Sequence, residues 1–139
     1  MYKCILLATD GSEHSKRAAE NAIHIAKNSA EHKVDIIYIV DPSKAKSETL
    51  SHWNSDSSGD RRKKRVEEVE RMAKESGISY EINFLTGDPG PTIVDYAHKK
   101  NADIIILGSR GLNVLQEFVL GSVSHKVAKR AHCPVLIVK

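Results

Sequence analysis

Apolar residues gather in five short blocks along the chain, at roughly Lys3–Ala8, Val34–Val40, Ser79–Leu85, Asp103–Leu107 and Pro134–Val138. Each block is rich in β-branched residues and apolar on both parities, and the second, fourth and fifth are almost continuous Val, Ile and Leu. Strands covered on both faces have this pattern, whereas a strand with one wet face alternates. Between the blocks the period changes. Ala18, Ala19, Ala22, Ile23 and Ala26 fall on one helical face behind a capping position at Ser12. Val66, Val69, Met72 and Ala73 mark a second helix with Gly77 as its stop. Ile93, Val94 and Ala97 mark a third, entered through Pro89 and Pro91, and Val119, Val123, Val127 and Ala131 mark a fourth.

Strand and helix therefore alternate four times and a strand closes the chain, which predicts an α/β fold with a parallel sheet and helices on both faces. The stretch Pro42–Asp60 interrupts the rhythm. It is rich in Ser, Lys, Gly and Asp with Trp53 in its middle, and reads as a long flexible connection (42–60), the tryptophan packing it down. No internal repeat or second domain is visible, and 139 residues suit one domain.

Composition removes several classes of function. No apolar run approaches the ~20 residues that span a bilayer, so no membrane partner is expected. The apolar start Met1–Leu7 is too short for a signal peptide, and Asp10 and Glu13 follow at once. Cys4 and Cys133 form neither a disulfide framework nor a spaced metal motif, and read as free thiols beside strands. Reduced thiols without an export signal favour the cytoplasm. The formal charge of +3 is too small to imply nucleic acid. The basic run Arg61–Arg65 is followed by Glu67, Glu68 and Glu70, as on a solvated helix face, and no aromatic platform accompanies it. Seven histidines (His14, His24, His32, His52, His98, His125 and His132) show no ligand pairing, so no structural metal is expected.

In an open parallel sheet, ligands bind beyond the carboxyl ends of the strands where strand order reverses. Two post-strand loops carry candidate chemistry. Thr9-Asp10-Gly11-Ser12 follows the first strand; Gly108-Ser109-Arg110-Gly111, with Gly121-Ser122-Val123-Ser124 nine residues on, follows the fourth. Glycines let backbone amides approach a ligand closely. The helix opening at Ser122 would add unpaired N–H groups and the positive end of its dipole, and the serines add hydroxyl donors. Phosphate fits such a loop. Neither G-x-x-x-x-G-K-[ST] nor G-x-G-x-x-G occurs. Arg110 and Lys126 could supply positive charge, but no lysine is committed to a γ-phosphoryl group and no general base is evident, so binding is expected rather than turnover.

Four stretches in order carry a resemblance: Leu6-Leu7-Ala8-Thr9-Asp10-Gly11-Ser12-Glu13; Gly87-Asp88-Pro89; Gly108, Gly111, Gly121 and Ser122, which fit G-x2-G-x9-G-[ST]; and Cys133-Pro134-Val135-Leu136-Ile137-Val138. In these the chain resembles the ATP-binding members of the universal stress protein family, from end to end. The resemblance implies one domain over 1–139 with an open five-stranded parallel sheet, order 3-2-1-4-5, of the Rossmann-like, adenine nucleotide alpha hydrolase-like kind. It implies ribose on Asp10, adenine on the backbone of Val40, and Ala8 and Thr9 lining the pocket. Leu107 would belong to the same nucleotide site, and the amides around Gly108, Arg110, Gly111 and Gly121, with Ser122, Val123 and Ser124, would hold the phosphates of ATP, which would arrive with Mg2+. It further implies a homodimer through the last strand and a nucleotide-dependent regulatory role in stress. The alternative at the same site is a slow ATPase or phosphoryl-transfer enzyme.

Overall fold

A computed structural model of the chain describes residues 2–9, 13–40, 57–108 and 122–139, with 13–15, 57–63, 65 and 122 described by their backbone alone. In chain order the elements are β1 (Cys4–Thr9), α1 (Glu13–Lys27), β2 (Lys33–Val40), α2 (Ser57–Ser76), β3 (Tyr80–Thr86), α3 (Pro89–Lys100), β4 (Ile104–Gly108), α4 (Ser122–Arg130) and β5 (Val135–Val138). The strands form one parallel sheet in the order β3-β2-β1-β4-β5. The expected fold class and strand order are therefore both found.

The apolar runs work because successive side chains of a strand point to opposite faces. Ile5 and Leu7 of β1, Val34 and Ile36 of β2, and Ile104 and Ile106 of β4 pack under α1 and α2, against Ala18, Ala19, Ala22, Val69 and Ala73. Leu6, Ala8, Ile37, Ile105 and Leu107 point the other way, under α3 and α4, against Ile93, Val94, Ala97 and Val127. Burying an Ile or Leu side chain is worth roughly 1.5–3 kcal/mol, so the three central strands supply most of the core. The alanines on α1 let that helix lie close to the sheet.

Element ends follow local chemistry. α2 stops at Gly77, whose φ of +73° suits the left-handed cap that glycine takes without strain. α3 stops at Asn101 (φ 52°, ψ 50°), and the amide of Ala102 reaches back to the carbonyl of Ala97 at 2.9 Å. Every strand differs from the sequence reading by one residue at one end or both, and two differences have a local chemical cause. Residues 57–60, expected in the polar connection, are the first turn of α2, because Ser, Gly and Asp are tolerated where the first amides have no helical partners anyway. Asp103, expected to open the fourth strand, lies outside it: its Oδ2 accepts the amides of Lys3 (3.0 Å) and Cys4 (2.8 Å), capping the start of β1. The remainder of 42–60, with Trp53, lies outside the described residues. Cys4 and Cys133 are free thiols, half-buried rather than fully enclosed.

Candidate functional site

Strand order reverses between β1 and β4, which pair directly from Ile5↔Ile104 to Ala8↔Leu107. Beyond this pair the chain departs to opposite faces, β1 leading to α1 on one side and β4 towards α4 on the other. In open parallel sheets such a reversal is where a crevice opens at the carboxyl ends of the strands. Ala8 and Leu107 are buried beneath it on the α3–α4 face. Thr9, only 5% exposed, pairs with Tyr38 of β2. Burial pushes the Tyr38 phenol far above its ordinary range; the Thr9 hydroxyl opposes the rise and the Glu70 carboxylate adds to it.

The other wall is the start of α4. Ser124 is 1% exposed and its Oγ donates to the Gly108 carbonyl at 3.2 Å, pinning the first turn of the helix to the end of β4. One turn on, Val127 is fully buried. α3 comes close as well: a Cβ built on Gly90 would lie 3.0 Å from Cδ and 3.1 Å from Cβ of Lys126, so the lysine stem runs over a position that carries no side chain. The first turn of α4 holds no acidic residue, whereas Lys129 and Arg130 occupy its last turn. The positive end of the helix dipole is thus uncancelled by any carboxylate in that turn, and the first backbone N–H groups lack helical acceptors. Chemically this is a seat for an anion.

At the end of β2 the ladder decides which backbone groups face the crevice. The amide of Lys33 donates to Lys3 of β1 (2.7 Å) and that of Val34 to Ser79 beside β3 (2.9 Å), so odd positions face β1 and even positions face β3. Val40 is even, and its carbonyl accepts the amide of Gly87 at 3.1 Å. The group expected to read the base therefore points to β3 and is already engaged there. Ile39, one residue earlier, directs its amide and carbonyl to the β1 side, where among the described residues the β1–β2 register runs as far as Thr9↔Tyr38. Parity needs the register, so no apolar run in the sequence tells the facing of Ile39 from that of Val40.

The structure thus brings Ala8, Thr9, Leu107, Gly108, Val123 and Ser124 together around the β1–β4 junction, with Val40 two residues past the end of β1's pairing. Val123 is half-buried against the α3–α4 core. The Ser124 hydroxyl, expected among the phosphate donors, gives its proton to Gly108. Ser122 is the first residue of α4. Asp10, Arg110, Gly111 and Gly121 lie outside the described residues. Lys126 and His125 are exposed on α4.

Comparison with known proteins agrees with this fold. A profile of the universal stress protein family matches residues 1–139. Universal stress protein MJ0531 of Methanocaldococcus jannaschii is 40% identical over 146 residues, spanning 100% of this chain and 83% of that protein. Universal stress protein YxiE of Bacillus subtilis is 32% identical over 149 residues, with 100% of both chains covered. Among solved structures, hypothetical protein MJ0577 superposes with a TM-score of 0.81 at 32% identity, covering 100% of this chain and 96% of that one. A universal stress protein in complex with cAMP superposes with a TM-score of 0.72 at 29% identity, covering 99% of this chain and 97% of that one.

Proposed function

The chain belongs to the universal stress protein family, and from that premise we propose that it is an ATP-binding regulatory protein of the stress response. The observation that carries this reading is the bond from Ser124 to Gly108, which ties the amino end of α4 to the end of β4 at the reversal of strand order. The residues between them in sequence carry the glycine signature, so the phosphates lie along Gly108, Arg110, Gly111 and Gly121 and against the first amides of Ser122 and Val123. Mg2+ accompanies the phosphate oxygens, which suit a hard cation. Asp10 receives the ribose hydroxyls, because a carboxylate accepts from them and is repelled by phosphate. Ala8 and Thr9 form the floor, and the end of β2 receives the base. That a 29% identical relative of the same fold was solved in complex with cAMP supports an adenine nucleotide in this crevice.

Binding is preferred over turnover because no lysine or general base is committed to the γ-phosphate in the sequence. The protein works in the cytoplasm and as a homodimer through β5. Calorimetric titration of Mg-ATP into nucleotide-stripped protein, beside Gly121→Val, tests the reading. Wild type should bind at about micromolar, roughly −8 kcal/mol, and the variant should lose that binding while keeping its circular dichroism. Absence of binding by wild type up to ~1 mM would remove ATP from the account. Phosphate release followed on the same pair separates a regulator from a slow ATPase.

A further inference from the structure

Lys126 is exposed, yet its stem is not free. Gly90, the second residue of α3, is buried beneath it: a Cβ built there would lie 3.0 Å from Lys126 Cδ, 3.1 Å from its Cβ and 3.7 Å from its Cγ. The aliphatic stem therefore lies along a position that carries no side chain, and only the ammonium needs water. Both sides of this contact are near the carboxyl ends of the strands. α3 opens just past β3, and Lys126 stands one turn into α4 from Ser122. Cα–Cβ bonds tilt towards the amino end of a helix, so a long side chain covers the turn before its own. The ammonium of Lys126 is thus carried towards the first turn of α4. Among the described residues no carboxylate pairs with it, and neither helix has an acid in its first turn. The α3 wall offers an anion little else. Pro89 and Pro91 have no amide hydrogen, and the Thr92 amide is engaged by the Asp88 carbonyl at 3.1 Å.

We propose that Gly90 seats Lys126, and that the seated lysine selects by length of phosphate chain, favouring a nucleoside triphosphate over a monophosphate. The inference rests on the nucleotide reading above and narrows it. Backbone amides at a helix start act as partial charges whose reach ends within the first turn. They serve the nearest phosphate, whatever follows it. A lysine is a full point charge on a tether. It adds most where charge accumulates further out, on the outer phosphates that a monophosphate lacks. Seating matters because a stem already laid along Gly90 loses less freedom on meeting phosphate than one hanging in water. The lysine comes from the body of a helix rather than from the glycine loop, so no loop motif announces it. It supplies charge and no general base, and the reading stays one of binding.

Calorimetric affinities of Mg-ATP and AMP test this on wild type, Lys126→Gln, Gly90→Ala, the double variant Gly90→Ala/Lys126→Gln and Lys129→Gln. Glutamine keeps the carbons that lie over Gly90 and drops the charge. Lys129, in the last turn of α4, is the control for charge at the other end of the helix. Wild type and Lys129→Gln should favour ATP over AMP. Lys126→Gln should weaken ATP about fivefold, the upper worth of one exposed ion pair, and leave AMP unchanged. Alanine is at home in a helix, so Gly90→Ala should keep the fold while crowding the stem, and should weaken ATP in the same direction. The double variant should lose no more than Lys126→Gln alone. An unchanged ATP affinity in Lys126→Gln overturns the role of the lysine. Equal affinities of wild type for ATP and AMP, or equal losses of both in Lys126→Gln, overturn selection by chain length. Additive losses in the double variant detach Gly90 from the lysine. A Gly90→Ala protein without native near-ultraviolet circular dichroism makes the contact a packing requirement and overturns the seat. Failure of wild type to bind either nucleotide removes the nucleotide reading, and this inference with it.

Discussion

Asp35 sits buried in β2, 4% exposed, and keeps its place because two side chains from distant segments meet it. Tyr96 Oη donates to Oδ2 at 2.7 Å and Asn83 Nδ2 to Oδ1 at 2.9 Å, while the same amide lies 3.1 Å from the phenol oxygen. The trio bolts α3 to β2 and β3 through polar groups in an otherwise apolar layer. Burial pushes the Tyr96 phenol well up from its ordinary 10.0, and the bond and charge of Asp35 push further in the same direction. Tyr38 is raised in the same sense, mainly by burial. A pKa raised on folding stabilises the fold fully below the ordinary phenol range, and that stability is lost as pH rises through the folded value. Urea midpoints should therefore fall as pH climbs above about 10. Tyr96→Phe should flatten this slope. At neutral pH it should cost about 1–3 kcal/mol, since Asp35 then lacks one donor. A variant whose alkaline slope matches wild type would separate Tyr96 from that loss. None of this could be read from the sequence, where Asp35 is a polar interruption in an apolar run and its partners lie 48 and 61 positions away.

Elements are where sequence and structure agree best, and the exceptions are instructive. Periodicity placed all five strands, the three central ones because burial on both faces of a sheet leaves no other pattern, and the buried helix faces among the described residues. It failed where composition and role diverge. Ser57 to Asp60 look like a loop yet begin α2, since a first turn tolerates them; Asp103 looks like the start of β4 yet caps β1. The candidate site was legible as glycine spacing, but its support was not. α4 is held by Val127 in the α3–α4 core and by the Ser124 bond, whereas Val69 of α2 is buried in the opposite core. Comparing the two valines separates stability from site geometry. Val127→Ala and Val69→Ala should each cost roughly 1–3 kcal/mol in urea melts, for lost burial and the space left behind. Only Val127→Ala should also weaken Mg-ATP severalfold in calorimetry, because it loosens the helix whose amino end is proposed to meet the phosphates. Equal affinities in the two variants would detach α4 from binding.

Among the described residues the sheet has two edge strands, β3 and β5, and they differ in character. On β3, Glu81 is exposed and paired with Lys33 at 2.7 Å, and Phe84 is 65% exposed while stacking on Tyr38 at 5.5 Å between ring centroids. A charge on an edge discourages another strand from adding to it. β5 offers no such guard. Its four residues, Val135 to Val138, are all apolar and all half-exposed, and Arg17 of α1 fastens its far end through the Lys139 carbonyl at 3.3 Å. Apolar side chains on a held, unpaired edge suit a second copy of the chain, which is why the proposed homodimer is assigned here rather than to β3. The ladder supplies a clean test. Ile105 donates to the Pro134 carbonyl at 3.0 Å, so even positions of β5 face β4 and the amides of Val135 and Ile137 face outward. Ile137→Pro removes one outward amide without touching a bond to β4, a change that edge strands tolerate. Light scattering behind size exclusion should show the wild type as a dimer and Ile137→Pro as a folded monomer of lower melting temperature. A variant that stays dimeric would place the interface away from β5, and a monomeric wild type would leave this edge guarded by its shortness alone.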